Sequence, residues 1–329
     1  MIQRNIQSTG GSSFLITLPK DWIIRNRLKS KSLLNVYQTN NNFLVVTGGN
    51  TQGFEKIEVN VDKISDKHLK REIISYYVSG YNEIILESKS YFNASKRRYI
   101  KEVIYKLVGF DVFEDEGNII RLKEVSLNNT SRDMYISKII KIIISMFDDL
   151  IKVLETNDMD LAEDIVLRDD EIDRLNLYIM RMCLKDIRNF GINLPIDLPL
   201  QKIYLYEHVS IRLERIADHI VKMVSSMIQI SPALKLKLSV DEKKNINKTK
   251  WYLKLCQKML LTNDKIIIYR ILDIHDAAAE YRFINKKIVN KQSINIIIDQ
   301  RMKRIASYVV NIAEEMMNIS PSYTRLMSI

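Results

Sequence analysis

The chain has 329 residues, 46% hydrophobic and 27% charged, proportions that exclude a disordered or fibrous protein and leave room for two or three domains with real cores. Nine glycines and five prolines are too few for a turn-rich all-β fold and favour long helices. The net charge of +10 rules out an acidic, self-solvating chain and raises the question of an anionic partner.

That charge is unevenly spread. Residues 1–50 carry six bases against one acid, residues 51–130 balance, residues 131–240 come to −2 and residues 241–329 to +7. The short basic N-terminus points to nucleic acid first, whereas a lysine-rich composition is the plainer account of the C-terminal excess. Cys183 and Cys256 are the only cysteines, which argues against a disulfide framework and against a cysteine zinc site. The most apolar run, IIKIIISMF, is broken by Lys141 and is far too short to span a bilayer, and no signal-peptide pattern opens the chain. A cytoplasmic protein without membrane insertion is expected.

Residues 3–7, 14–18, 33–38 and 43–47 alternate and read as four short strands, with Gly10-Gly11 and Asn40–Asn42 at the turns. Pro19 followed by KDWIIRNRL reads as a short helix, proline standing where its missing N–H costs nothing. So little chain cannot bury a core alone, so residues 1–50 predict a dimerising domain. Residues 51–130 read as an α/β module, with strands at KIEVNV and EIILES and helices at DKHLKREIISYYVSG and SKRRYIKEVIYKLVGF. Gly80 and Gly109 sit where helices commonly end, and a hairpin closes about Gly117.

From residue 131 the pattern is helical, with helices predicted near 133–156, 159–190, 200–230, 242–263, 265–291 and 294–318. A repeat lies within them: LERIADHIVKMV, Leu213 to Val224, aligns with MKRIASYVVNIA, Met302 to Ala313. The six helices therefore predict two related three-helix bundles, 131–232 and 233–329. The fold class expected is mainly α, with these tandem bundles preceded by the α/β module and the strand-rich N-terminal domain.

The second of these helices contains LRDDEIDRLNLYIMRM, with four carboxylates in five positions. On a wheel of about 100° per residue, Asp169 and Asp173 fall within the apolar stripe of Ala162, Ile165, Ile172 and Cys183. Asp170 points outward, within reach of Arg174 at i+4. Two carboxylates inside an apolar stripe need a cation, a basic partner or a raised pKa. The third helix offers a second i, i+4 pair, Glu214 and Asp218. Together the four make an oxygen-rich pocket suited to Mg, Mn or Fe; the competing reading is an ion-pair network with Arg181, Arg212 or Arg215. In the second repeat Lys303, Ser307 and Tyr308 replace Glu214, Asp218 and His219, which argues against an equivalent second site. Asp276 and Glu280 are its weaker candidates, although Asp276 lies 27 residues before Lys303 where Asp169 lies 45 before Glu214.

DDEIDRLNLYI and LERIADHIVKM resemble the two signature helices of the PhoU-type phosphate-uptake regulators, built from two three-helix bundles. The resemblance implies a divalent or trivalent metal ion (Fe, Mn, Mg or Zn) held by Asp169, Asp173, Glu214 and Asp218. STGGSSFLITLPKDWI is similar to the swapped-hairpin AbrB-type DNA-binding domain, in which elements of two chains interlock into one small β-barrel. That likeness implies a homodimer through residues 1–50, with DNA contacts at the matching basic positions Arg4, Lys20, Arg25, Arg27 and Lys29. Such residues act mainly on phosphate. Gly10 and Gly11 fit either a phosphate contact through backbone N–H groups or ordinary turn geometry. The pairing of both modules resembles archaeal phosphate-regulator-like proteins with an AbrB-type head.

Two functions follow: a dimeric transcriptional regulator of phosphate homeostasis whose helical body holds metal, or a cytosolic adaptor that represses a phosphate ABC transporter or its signalling partner without touching DNA. An enzyme is not expected. His68, His208, His219 and His275 form no triad and no metal-ligand spacing, and no glycine-rich phosphate loop is present.

Overall fold

The computed structural model describes residues 3–38, 43–48, 55–125, 131–188, 200–230, 238, 240–262, 264–279 and 291–326. The chain separates into two compact units, Met1–Gly53 with Asn189–Asp197, and Phe54–Arg188 with Leu198–Ile329.

In the first unit, β1 (Gln7–Thr9) pairs antiparallel with β2 (Ser13–Leu15), and Gly10 takes φ +72° in the turn between them. Helix α1 (Lys20–Arg25) follows Pro19, and β3 (Leu34–Gln38) pairs antiparallel with β4 (Leu44–Gly48). The described residues of one chain thus form two separate two-stranded hairpins and no closed barrel. Their apolar side chains are largely uncovered: Phe14 is 73% exposed, Leu33 84% and Phe43 64%, with Ile6, Ile16, Ile24, Val36 and Leu44 similarly placed. Isolated hairpins with their apolar groups in water are marginal at best.

In the second unit, β5 (Lys56–Asn60) runs parallel to β6 (Glu83–Glu87) across α2 (Asp66–Val78). After α3 (Ala94–Tyr105), the hairpin β7 (Phe110–Glu116) and β8 (Ile119–Glu124) completes a sheet of order β5-β6-β8-β7. Alternation places Ile84, Leu86, Ile120 and Leu122 on the face that buries Leu69, Ile73 and Tyr77 of α2 and Ile100 and Ile104 of α3. Asn93 starts α3 by accepting from the Lys96 N–H at 2.8 Å.

The helical part comprises α4 (Arg132–Thr156), α5 (Met159–Arg188), α6 (Leu200–Ile230), α7 (Val240–Thr262), α8 (Lys265–Ala279) and α9 (Lys291–Leu326). Ser131 caps α4 through the Met134 N–H, and Asn157 ends it in the left-handed region. The predicted helix over 265–291 is seen as α8; residues 280–290 lie outside the described residues. Ile139, Ile143, Phe147, Ile165, Ile172, Ile179, Leu213, Ile216 and Ile220 are fully buried where α4, α5 and α6 meet.

Helices α6 and α9 pack against each other. His208 and Arg212, early in α6, meet Glu315 late in α9, while His219, later in α6, meets Arg301 earlier in α9. The two helices are therefore antiparallel. The rings of His219 and Tyr308 stack at 5.7 Å.

Helix α5 is also the seat of the α/β module. The Arg181 side chain is 1% exposed and lies against the rings of Tyr77 and Phe110 at 4.9 and 4.8 Å. It donates to the carbonyls of Tyr77 and Tyr81 and pairs with Glu124 at 3.0 Å. Arg181 thus ties α5 to the sheet and takes no part in an ion-pair network within the bundle. Burial alone pushes the Glu124 carboxyl up, but the charges of Arg181 and Lys185 outweigh it and hold it below its ordinary value. Lys185 itself crosses Gly80, which takes φ +93°, and a Cβ there would lie 2.7 Å from the Lys185 Cγ. Arg188 pairs with Glu55 and donates to the Ser79 carbonyl. Arg181→Ala should lower stability by about 3–5 kcal/mol, because it strips a buried pair of one partner; urea denaturation followed by circular dichroism measures the loss.

Candidate functional site

Asp169 and Asp173 project from α5 one turn apart, and Glu214 and Asp218 from α6 in the same way. All four are partly buried, because the apolar positions that frame them (Ile165, Ile172, Leu213, Ala217) seat the two helices against each other. The Oδ1 of Asp169 is buried without a hydrogen-bond partner, the condition in which a carboxylate is least stable as an anion.

The electrostatics follow from this placement. Burial, then the like charges of Asp173, Asp218, Glu214 and Asp170, raise the Asp169 carboxyl to about 7. Burial and Asp218 also raise Asp173, against the opposing charge of Lys106 and, more weakly, Lys70. Burial raises Glu214, Arg215 opposes, and Asp218 and Asp173 add to the rise. Four carboxylates on two helices thus share one repulsive field. A network partner is present at its outer edge only: Arg215 lies 3.4 Å from Glu214 and 3.5 Å from Asp218, and Lys222 lies 2.9 Å from Asp218. Arg212 turns away to Glu315 at 2.5 Å. Among the described residues, no three His, Cys, Asp or Glu side chains are drawn together into a finished metal-ligand cluster.

The outward Asp170 is indeed exposed, but its partner is Lys106 at 2.8 Å, and Arg174 instead lies over the Tyr105 ring at 4.7 Å. Glu171 pairs with Lys138 at 2.6 Å. Lys106 caps the end of α3, and Lys70 sits on α2, so the α/β module supplies cations to the rim of the acidic site. Sequence reasoning missed both, since a partner 64 residues away leaves no local spacing to read. In the second repeat, Asp276 lies on α8 with its side chain outside the described set, and Glu280 lies outside the described residues altogether. Lys303 pairs with Asp299 at 2.9 Å.

In the N-terminal unit, Arg4, Lys20, Arg25, Arg27 and Lys29 are all exposed, and none is in an ion pair among the described residues. Arg25 donates to the Asp21 carbonyl at 3.3 Å, and Arg27 adopts φ +54° just beyond α1. Four of these five cations lie within ten residues on and after one short helix.

Comparison with known proteins bears on the helical part. Residues 136–227, from α4 to near the end of α6, match the PhoU domain family. The crystal structure of PhoU from Pseudomonas aeruginosa is similar with a TM-score of 0.50 at 16% identity, over 58% of this chain and 96% of that one. At that identity the likeness is one of fold, and it establishes a PhoU-like helical bundle. No curated protein matches the chain.

The raised carboxyls carry a definite pH signature. Folded Asp169 keeps its proton to about pH 7, whereas an unfolded aspartate releases it near about 3.9. Through Asp169 the folded state binds more protons between those values, so the contribution of this group to stability falls as pH rises through that window; Asp173 and Glu214 act in the same direction, and His219, held down to about 4, acts in the opposite one. In chelator-treated protein the stability of Asp169→Asn relative to the wild type, read by urea denaturation, should therefore rise from about pH 5 to about pH 7.5, a comparison in which the His219 contribution cancels. A difference between the two proteins that does not change with pH contradicts the arrangement.

Proposed function

We propose that the protein is a dimeric, DNA-binding transcriptional regulator of phosphate homeostasis whose helical body holds a metal ion. The observation that carries this reading is the joining of a PhoU domain, over residues 136–227, to a separate small unit with an exposed basic segment. PhoU domains belong to phosphate regulation, so a regulatory rather than catalytic role is assigned, with a phosphate transporter or its signalling partner as the other party to the control.

The dimer is supported by the exposed apolar side chains of the two hairpins, Phe14, Leu33, Val36 and Phe43 among them. A second copy interlocked with the first would cover them and complete an AbrB-like barrel. On its surface Arg4, Lys20, Arg25, Arg27 and Lys29 would meet DNA phosphates. Arg4→Ala with Arg25→Ala and Arg27→Ala should weaken binding to promoter DNA. The same variant should make log Kd less steep in log salt, by about 0.9 for each phosphate no longer neutralised. If the triple variant binds like the parent, or the parent binds all sequences alike at physiological salt, this part of the reading fails.

The residues of the acidic site fit a hard or borderline cation. The unpartnered Asp169 Oδ1 and the mutual repulsion of Asp169, Asp173, Glu214 and Asp218 would both be relieved by one. Asp169 and Asp173 from α5 and Glu214 and Asp218 from α6 would hold it, and a bound metal would link the two helices by charge. Elemental analysis of untagged protein should find metal in the wild type and none in the folded Asp169→Asn, Asp173→Asn double variant; metal retained by that variant would show that other residues hold it.

A further inference from the structure

The basic excess of the C-terminal third is sorted in space. On α7, Lys244, Asn247, Trp251, Lys254, Lys258 and Leu261 are exposed, while Ile246, Thr249, Tyr252, Leu253, Cys256 and Met259 are buried. At about 100° per residue the exposed set falls within an arc of about 100°. On α8, Lys265, Ile266, Tyr269 and Arg270 are exposed and Ile267, Ile268 and Ile271 are buried. Trp251 is 48% exposed, Leu261 61%, Ile266 62% and Tyr269 52%.

Lys244, Lys254, Lys258, Lys265 and Arg270 make no ion pair among the described residues. The neighbouring lysines of the same helix behave differently: Lys243 pairs with Glu155 at 2.6 Å, and Lys250 pairs with Asp148. Asp264 caps α8 through the Ile266 N–H at 2.9 Å, and Asp273 is exposed further along that helix. Five cations without an ion pair among the described residues and four large apolar side chains are thus exposed on α7 and the first turns of α8.

From this face we infer that α7 and the first turns of α8 form a docking surface for a bilayer rich in anionic lipid. The cations supply attraction to a negative surface. Trp251 and Tyr269 are the side chains that settle at the headgroup level, with an apolar body and one polar tip. Leu261 and Ile266 distinguish this partner from nucleic acid: aliphatic groups gain nothing from phosphate or from base stacking, but gain from the acyl boundary. The face is the outside of a helix and not a groove, which suits an extended surface better than a bound peptide helix. The contact is peripheral, since no helix among the described residues is long and apolar enough to cross a membrane.

The protein has two tryptophans, so full-length protein carrying Trp22→Phe reports on Trp251 alone. It should co-sediment with phosphatidylglycerol–phosphatidylcholine vesicles at low salt, with a blue shift of Trp251 emission, and remain in solution with pure phosphatidylcholine. Lys254→Glu with Lys258→Glu should weaken sedimentation at least about tenfold, while circular dichroism shows the same fold. Leu261→Ser with Ile266→Ser should weaken vesicle binding and leave binding to a duplex oligonucleotide unchanged. The inference is overturned if the parent ignores anionic vesicles, if the glutamate variant sediments like the parent, or if these substitutions abolish DNA binding instead. Arg4, Arg25 and Arg27 are intact in all these variants, so failure here leaves the DNA reading untouched.

Discussion

One buried guanidinium fixes the architecture of the larger unit. Arg181 is placed where an arginine is tolerated only if its charge, its donors and its flat faces are all satisfied. Glu124, the carbonyls of Tyr77 and Tyr81, and the rings of Tyr77 and Phe110 meet those needs together. Every one of those partners belongs to the α/β module or its closing strand, while Arg181 itself belongs to the long helix α5. The module is therefore seated on the same helix that carries Asp169 and Asp173 in its earlier turns, and it brings Lys106 and Lys70 to their edge.

Much of this was legible in the sequence because it is local. Period-2 and period-3.6 patterns placed strands and helices within a few residues of β3, β5, β6 and α2 to α7, and Gly117 marked its hairpin. The wheel also placed Asp169 and Asp173 among apolar neighbours, which their partial burial and raised carboxyls match. What the sequence hid was pairing at a distance. Asp170 had a good local partner in Arg174, yet Lys106 competes from α3 and Arg174 has the Tyr105 ring to lie on. Arg181 read as a bundle cation because nothing in its spacing marks an encounter with Tyr77 and Tyr81, far earlier in the chain. The C-terminal charge excess looked like bulk composition; only burial along α7 separates the paired lysines from the unpaired ones.

The sequences of α6 and α9 align over Leu213–Val224 and Met302–Ala313 at their apolar positions and differ at most of the polar ones. Their matched residues still meet, His219 on Tyr308, and the antiparallel seam of α6 and α9 keeps its apolar core. At the polar positions the chemistry has reversed, with Lys303 standing where the first repeat has Glu214. His219 records the result: burial first, then Arg301 and Lys222, hold it down at about 4, so it is a neutral ring at the seam.

Gly80, in the turn after α2, makes the module's seating intolerant of added volume. A Cβ there would stand 2.7 Å from the Lys185 Cγ, with the backbone at φ +93°, so any side chain would press on the lysine that holds Glu124 at 2.9 Å. A single added methyl group would thus be felt at the ion pair that seats the module on the helix of the acidic turns.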